Sequence, residues 1–509
     1  MRRIFCCFAI LFFFTSCKAG NKDTVNFDSD SIRYPAFAGQ FYAADSSTLT
    51  LQIKSFFANT KPARIEIPVA IIVPHAGYIY SGQIAADAYN QVKNNNYEVV
   101  VVLGTNHTTA GFSKFGIYPN GAFSTPIGTA KIDNQISDGL IKNDPDVKVN
   151  LTVHAKEHSI EVQIPFIKYL FPNAKIIPII VGEPDINMCN KFGEVLAKVM
   201  KDKKVLIVAS SDLSHYPAFN DALKVDNKTL NSIAGMNLND ITTVMQNQLE
   251  QKIPELVTCA CGEAPIVTAI AAAKAMGANS GTVISYSNSG YNSIGSTDRC
   301  VGYGAVVFSK ASPAAIPEVD TLMINNSYKL TLPDKKTLLK YARKTLEQYF
   351  YSQTLPLPRD INPLLKIKRG AFVTLNKHGE LRGCIGHMTE DTPLCTVVGS
   401  MALQAAFNDK RFSPLLKEEL PQIEFEISVL TPFLSIGSAD DIVLGHDGVV
   451  VKKGDRQAVF LPQVATETGW SKEMFLDELC LKAGLKPGDW KSAQLFTFQA
   501  DVFSESEFH

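Results

Sequence analysis

Between about Arg33 and Lys310 the chain alternates short runs of β-branched and aliphatic residues with longer stretches of helical period, and few architectures tolerate that alternation. Val69 to Val73, Val99 to Leu103, Ile176 to Val181 and Val205 to Val208 are apolar on both faces and run into polar or glycine-rich residues, the pattern of fully buried strands. Gly82 to Lys93 and Met188 to Lys201 fit between them as helices. Strands and helices interleaved in this way build an α/β domain around a mainly parallel sheet.

The pattern breaks at residues 311–333, which contain three prolines and no clear period, so a linker is expected there. A different domain follows over 334–509. Its first helix begins near Asp334, a plausible cap, and places Leu338, Leu339, Ala342, Leu346 and Phe350 on one face. A strand, turn and strand in AFVTLNKHGELRGCIG, a helix over Thr396 to Asn408, strands around Glu424 to Leu430 and Val449 to Leu461, and a helix from Ser471 to Ala483 make this an α+β domain. Two domains suit 509 residues, which exceed the usual size of one core.

Hydrophobic residues make up 46% and charged residues 19%, an ordinary globular balance with enough apolar surface to bury. The 49 basic and 50 acidic side chains nearly cancel and form no long run of one sign, which argues against nucleic acid as a partner. The chain opens MRRIFCCFAILFFFTSCKAG, two arginines before an apolar run too short to span a bilayer. Residues 1–17 therefore read as a signal peptide. Its end, with small residues before Cys17, resembles a bacterial lipobox, in which the cysteine is acylated and becomes the new N-terminus. Residues 18–32, polar and rich in Asn, Asp and Ser, read as a tether, and the expected location is the cell envelope, lipid-anchored to a bacterial membrane. Of ten cysteines, Cys6 and Cys7 leave with the leader and Cys17 takes the lipid; the seven others show no paired CxxC spacing, which favours isolated thiols over a disulfide framework.

In an open α/β sheet, ligands bind beyond the carboxyl ends of the strands, where loops converge. Three strands of the first domain run directly into histidine-bearing loops: AIIVPHAG delivers His75, VVVVLGTNH delivers His107, and VLIVASSDLSH delivers Asp212 and His215. Two neutral imidazoles plus one anion make a half-filled coordination sphere for a divalent metal, with room for water or substrate. Glu157, Glu161, Asp212 and Cys261 are all available as the anion, and spacing does not choose among them.

AFAGQFYAA, VPHAGYIYSG, LGTNH, KEHSIEVQIPF, ASSDLSH and the CGEAP segment, in that order, resemble the Memo-like proteins, also called AmmeMemoRadiSam system protein B, over nearly all of residues 33–310. The resemblance implies a fold like that of class III extradiol dioxygenases and one transition metal held by His75, His107 and Cys261, with iron first and copper or zinc as alternatives. It gives Asp212 and His215 a place beside the metal, to bind substrate or carry a proton, and makes His158 and Glu161 residues that orient a ligand. Thr108 departs from relatives that carry a second consecutive histidine there. Residues 334 to about 505 resemble AmmeMemoRadiSam system protein A through LRGCIGH, AFNDKRFSPL and VFLPQVATETGW. There Cys384 is a candidate nucleophile, with His387 and Arg411 available to lower its pKa. Together these imply an oxidoreductase or dioxygenase-like enzyme acting on a small-molecule or peptide substrate. The alternatives are a metal- or partner-binding lipoprotein without catalysis, and a modification factor linked to a radical SAM protein.

Overall fold

The computed structural model describes residues 32–310 and 330–508, except Ser293, Asp360, Glu390, Asp391, Pro432 and Asp455. The leader with Cys17, the tether up to residue 31 and the linker up to residue 329 lie outside the described residues.

An eight-stranded sheet organises the first domain. Its four central strands, Pro68–Val73, Val205–Ser210, Val99–Thr105 and Lys175–Val181, lie side by side in that order and are all parallel. The first three are buried at every position, which is why they read as unbroken apolar runs and not as alternating ones. Antiparallel strands extend both sides. Gly302–Ser309 and Ser280–Asn288 flank Pro68–Val73, and Phe115–Ile117 pairs with Lys175–Val181 before the last strand, Val147–Val149. Apolar clusters fill both faces of the sheet. Helix Tyr78–Val92 is buried along most of its length, while helices Ile186–Val199 and Glu263–Ala275 pack together on one face. The sequence pattern places the start of the first of these helices at Gly82 and of the second at Met188. Each starts earlier, the second because Asp185 accepts a hydrogen bond from the Met188 backbone N–H and caps it.

The second domain carries two antiparallel four-stranded sheets. One is ordered Glu380–His387, Ala371–Lys377, Ile423–Leu430, Ala500–Ser504, and helices Leu332–Ser352 and Leu394–Phe407 close its core. His378 and Gly379, both at positive φ, make the tight turn of the expected hairpin. The first helix starts before Asp334: Thr331 is its cap, and Asp334 returns the bond to the Thr331 backbone as the other half of a capping box. Arg359 joins the domains by a paired contact with the fully buried Asp87 of helix Tyr78–Val92 (Nη1 to Oδ1, 2.9 Å).

Gly193 lets helix Ile186–Val199 approach helix Glu263–Ala275 backbone to backbone, because a Cβ there would lie 2.5 Å from the Ala271 Cβ and 2.7 Å from the Ala272 nitrogen. Gly193→Val is expected to cost about 1–3 kcal/mol or more, read as a fall in the urea midpoint of the first domain. An unchanged midpoint would show that the two helices have room to separate.

Candidate metal centre

Parallel neighbours release their chains on the same side of a sheet, so Pro68–Val73, Val205–Ser210 and Val99–Thr105 deliver His75, Asp212 and His107 to one rim. A fourth segment, between the short helix Thr152–Ala155 and the turn at Glu161, adds His158. The rings of His75, His107 and His158 have centroids 4.8 to 5.2 Å apart, and one ligand nitrogen from each lies within 4.8 Å of the other two. Donors sharing a metal at about 2.0–2.1 Å stand roughly 3–4 Å from each other, so a small contraction brings all three nitrogens to bonding reach.

Hydrogen bonds decide which nitrogen of each ring is available. Ser210 Oγ has one proton, and it goes to the Ser159 carbonyl at 2.6 Å, which can only accept. The same hydroxyl accepts from Gln163 Nε2 at 3.0 Å, so His75 Nδ1, 3.2 Å away, must be the donor. His75 Nε2 is left with its lone pair. At His107 the argument runs through Glu157. Burial raises that carboxyl, but the bond from the His107 ring, its charge and the Ser159 and His107 backbone N–H groups outweigh burial and bring it down to about 2. An ionised carboxylate only accepts, so His107 Nδ1 donates to Glu157 Oε1 (3.0 Å), which leaves Nε2 as the nitrogen that could meet a metal. His158 Nδ1 stands 3.3 Å from the same oxygen, and Phe41 and Phe37 pack against its ring.

Cys261 stands against His75, with Sγ 3.2 Å from Nε2. It is placed by Gly262, where a Cβ would collide with Ser211 Cβ at 2.6 Å and Thr105 Oγ1 at 2.7 Å, so only glycine lets the loop lie this close to the strand ends. The Gly262 N–H donates to Ser211 Oγ at 2.8 Å, and helix Glu263–Ala275 follows at once. Burial, then the Asp212 charge, push the Cys261 thiol well up, so without a cation beside it the sulfur keeps its proton.

The remaining expected residues are placed as follows. Asp212 Oδ1 accepts from the backbone N–H of His75 (2.8 Å) and of Ala76 (3.3 Å), which pins the loop carrying the first histidine. His215 Nε2 is buried with no hydrogen-bond partner among the described residues, and burial, against the pull of Asp212, lowers its pKa. Glu161 does not reach the imidazoles. It binds Arg33 (2.7 Å), the Ala36 and Phe37 N–H groups and Tyr42 Oη, and so fastens the first residues of the domain. The orienting role expected of Glu161 and His158 falls to Glu157 and Ser210, and His158 is a member of the cluster. Only the Glu157-His158 dipeptide hinted at this, because nothing in the spacing shows which side of that loop faces the strand ends. His154 is committed to the Gly116 carbonyl (2.9 Å). In the second domain, Cys384 Sγ lies 3.2 Å from Thr374 Oγ1. Arg411 directs its N–H groups to Asp409 and to the Cys384 carbonyl. Cys384 and the other six described cysteines are all free thiols.

Burial first, with its neighbours, holds His75 at about 3, His154 at about 3 and His158 at about 4, all below 6.5. Between those values the unfolded chain binds protons that the native rings refuse. Stability is therefore complete above about pH 6.5 and falls as the pH drops below it, by on the order of 1 kcal/mol per pH unit for each such ring. Urea unfolding of the metal-stripped chain between about pH 6.5 and 4.5, above the Glu157 range, reads this slope, and His75→Gln should lessen it by about a third. A flat wild-type profile would mean that water reaches the rings.

The chain matches the model of the Memo-like protein family over residues 33–307 and that of AMMECR1 over residues 339–503. It is 34% identical over 290 residues to a MEMO1 family protein of Methanobrevibacter smithii and 35% identical over 278 residues to one of Aquifex aeolicus. Each alignment covers 54% of this chain and 99% of the relative. Among solved structures, uncharacterized protein PH0010 from Pyrococcus horikoshii is 38% identical over 33% of this chain and 90% of its own, at a TM-score of 0.31. The first domain, with its rim of histidines, and the match over more than half the length place this chain in the Memo-like family, with an AMMECR1 domain following.

Proposed function

We propose that the first domain is a mononuclear metal centre of oxidoreductase type, with His75, His107 and His158 as imidazole ligands and Cys261 as the anionic one. The observation that carries this reading is the convergence of three imidazoles and one thiol: Nδ1 of His75 and of His107 is spent on Ser210 and Glu157, one nitrogen from each of the three rings lies within 4.8 Å of the others, and Cys261 Sγ stands 3.2 Å from His75 Nε2. Such an arrangement is costly without a cation, and neutral imidazoles beside a soft sulfur suit iron(II), copper or zinc, with iron favoured by the family. A bound iron or copper ion would supply one-electron chemistry and Lewis acidity at any position the protein leaves open.

The chain's own residues do the rest. Glu157 and Ser210 hold the rings and keep the metal-facing nitrogens basic. Asp212 anchors the backbone of His75, and His215, whose pKa burial lowers, is the imidazole available to take a substrate proton. The readings of residues 1–17 as a lipoprotein leader and of Cys17 as the lipid site belong to this proposal and put the centre at the cell envelope. An exported chain would have no direct contact with a radical SAM protein, whose cofactor is cytoplasmic. No helix among the described residues is long and apolar enough to cross a membrane.

Elemental analysis of anaerobically purified protein is expected to give about one iron or copper per chain, with most of it lost in Cys261→Ser and in His158→Ala. Full retention in Cys261→Ser would remove the thiolate, and no metal in the wild type would remove the centre. Nitric oxide should change the spectrum of the iron-loaded chain if a position is open; no change would favour a closed, non-catalytic site. Glu157→Gln keeps one acceptor oxygen where the carboxylate serves three N–H groups. It should weaken metal binding about 10–100-fold in competition with a chelator, and equal affinity would show that Glu157 does not orient His107.

A further inference from the structure

A cavity of about 510 Å3, within the size range of small-molecule sites, is lined by Cys261, whose Sγ stands 3.2 Å from His75 Nε2. Thr105 and Asn106, the residues leading to His107, also line it, so it adjoins two of the segments that carry the centre. Ile186 and Val267 give it an apolar patch. Glu183, Asp185 and Glu263 also line it, and no lysine, arginine or histidine does. Two helices, Ile186–Val199 and Glu263–Ala275, begin at its edge, and each N-terminus contributes roughly +0.5 charge. Against three carboxylates that is about +1; burial raises the Glu263 carboxyl, and the cavity stays net negative. Asp185 is partly committed to capping its helix; Glu183 and Glu263 are the carboxylates to test.

We propose that this cavity is the substrate pocket of the metal centre and that it takes a small molecule carrying an ammonium or guanidinium group. An apolar portion of that molecule rests on Ile186 and Val267 while the cation meets Glu183 and Glu263, and the rest extends past Cys261 toward the imidazoles. This inference rests on the proposed metal centre for its meaning as a substrate pocket, but its charge preference is measurable without metal.

The test is calorimetric titration of the full chain, metal-stripped and iron-loaded, with benzylammonium, benzyl alcohol and benzoate, which differ mainly in charge. Benzylammonium is expected to bind in both states, at least about tenfold tighter than benzoate, and to weaken as salt is raised. The double variant Glu183→Gln/Glu263→Gln should lose that preference with its metal content and melting temperature unchanged. Benzoate binding as well as benzylammonium, or a folded double variant that keeps the preference, would overturn the proposal. If the double variant does not fold, salt-independent binding to the wild type does so instead. A chain that selects benzylammonium but never holds metal defeats the metal centre alone; one that holds metal and shows no charge preference defeats this pocket alone.

Discussion

Three adjacent parallel strands must release their chains on the same side of the sheet, and the whole site depends on that constraint. Pro68–Val73, Val205–Ser210 and Val99–Thr105 are neighbours in space although they are far apart in the chain, and their buried ladders hold them in register. The register sets Val73 beside Ser210, so the loops bearing His75 and Asp212 start level, and the Asp212 carboxylate can accept from the His75 backbone. A rim built this way is rigid because every residue below it is packed.

Rigidity alone does not make imidazoles into ligands; the proton must sit on the far nitrogen. Ser210 and Glu157 achieve that by opposite means. A hydroxyl whose single proton is already spent forces His75 to donate, and a carboxylate kept ionised forces His107 to donate. Both partners come from elements next to the rim, so the chemistry of the cluster is written one layer below it. Burial adds a further requirement by keeping the His75 and His158 rings neutral at ordinary pH, when a charged imidazolium could not bind a cation.

The second domain contributes a different kind of order. Its strand Ala371–Lys377 alternates in burial, and a capping box, a tight hairpin turn and an ion pair to the buried Asp87 fix where it begins and how it meets the first domain. Cys384 sits in a strand beside Thr374, in a hydrogen-bonded setting with Asp409 and Arg411 directed at its backbone. That geometry explains why the LRGCIG segment needs its flanking glycines: at Gly383 and Gly386 a Cβ would strike the Ala405 carbonyl and the Phe372 ring.

Strand identity, the α/β character of the first domain, the α+β character of the second, and the histidine loops on one edge were all legible in the residues, because buried parallel strands leave unbroken apolar runs whose ends are easy to see. His75, His107, Asp212 and His215 stand directly after such runs, and local pattern was enough to find them. His158 and Glu157 follow no strand, and helix starts at Tyr78, Ile186 and Leu332 are set by caps and by burial against neighbours, which is why the sequence expectations placed those starts late. Which face of the Glu157-His158 loop turns inward, which nitrogen of each ring holds its proton, and that Glu161 serves Arg33 and not the cluster depend on contacts between segments more than thirty residues apart. Linear pattern carries one-dimensional periodicity; the partners of a polar side chain are chosen by three-dimensional proximity, and only the folded chain specifies that.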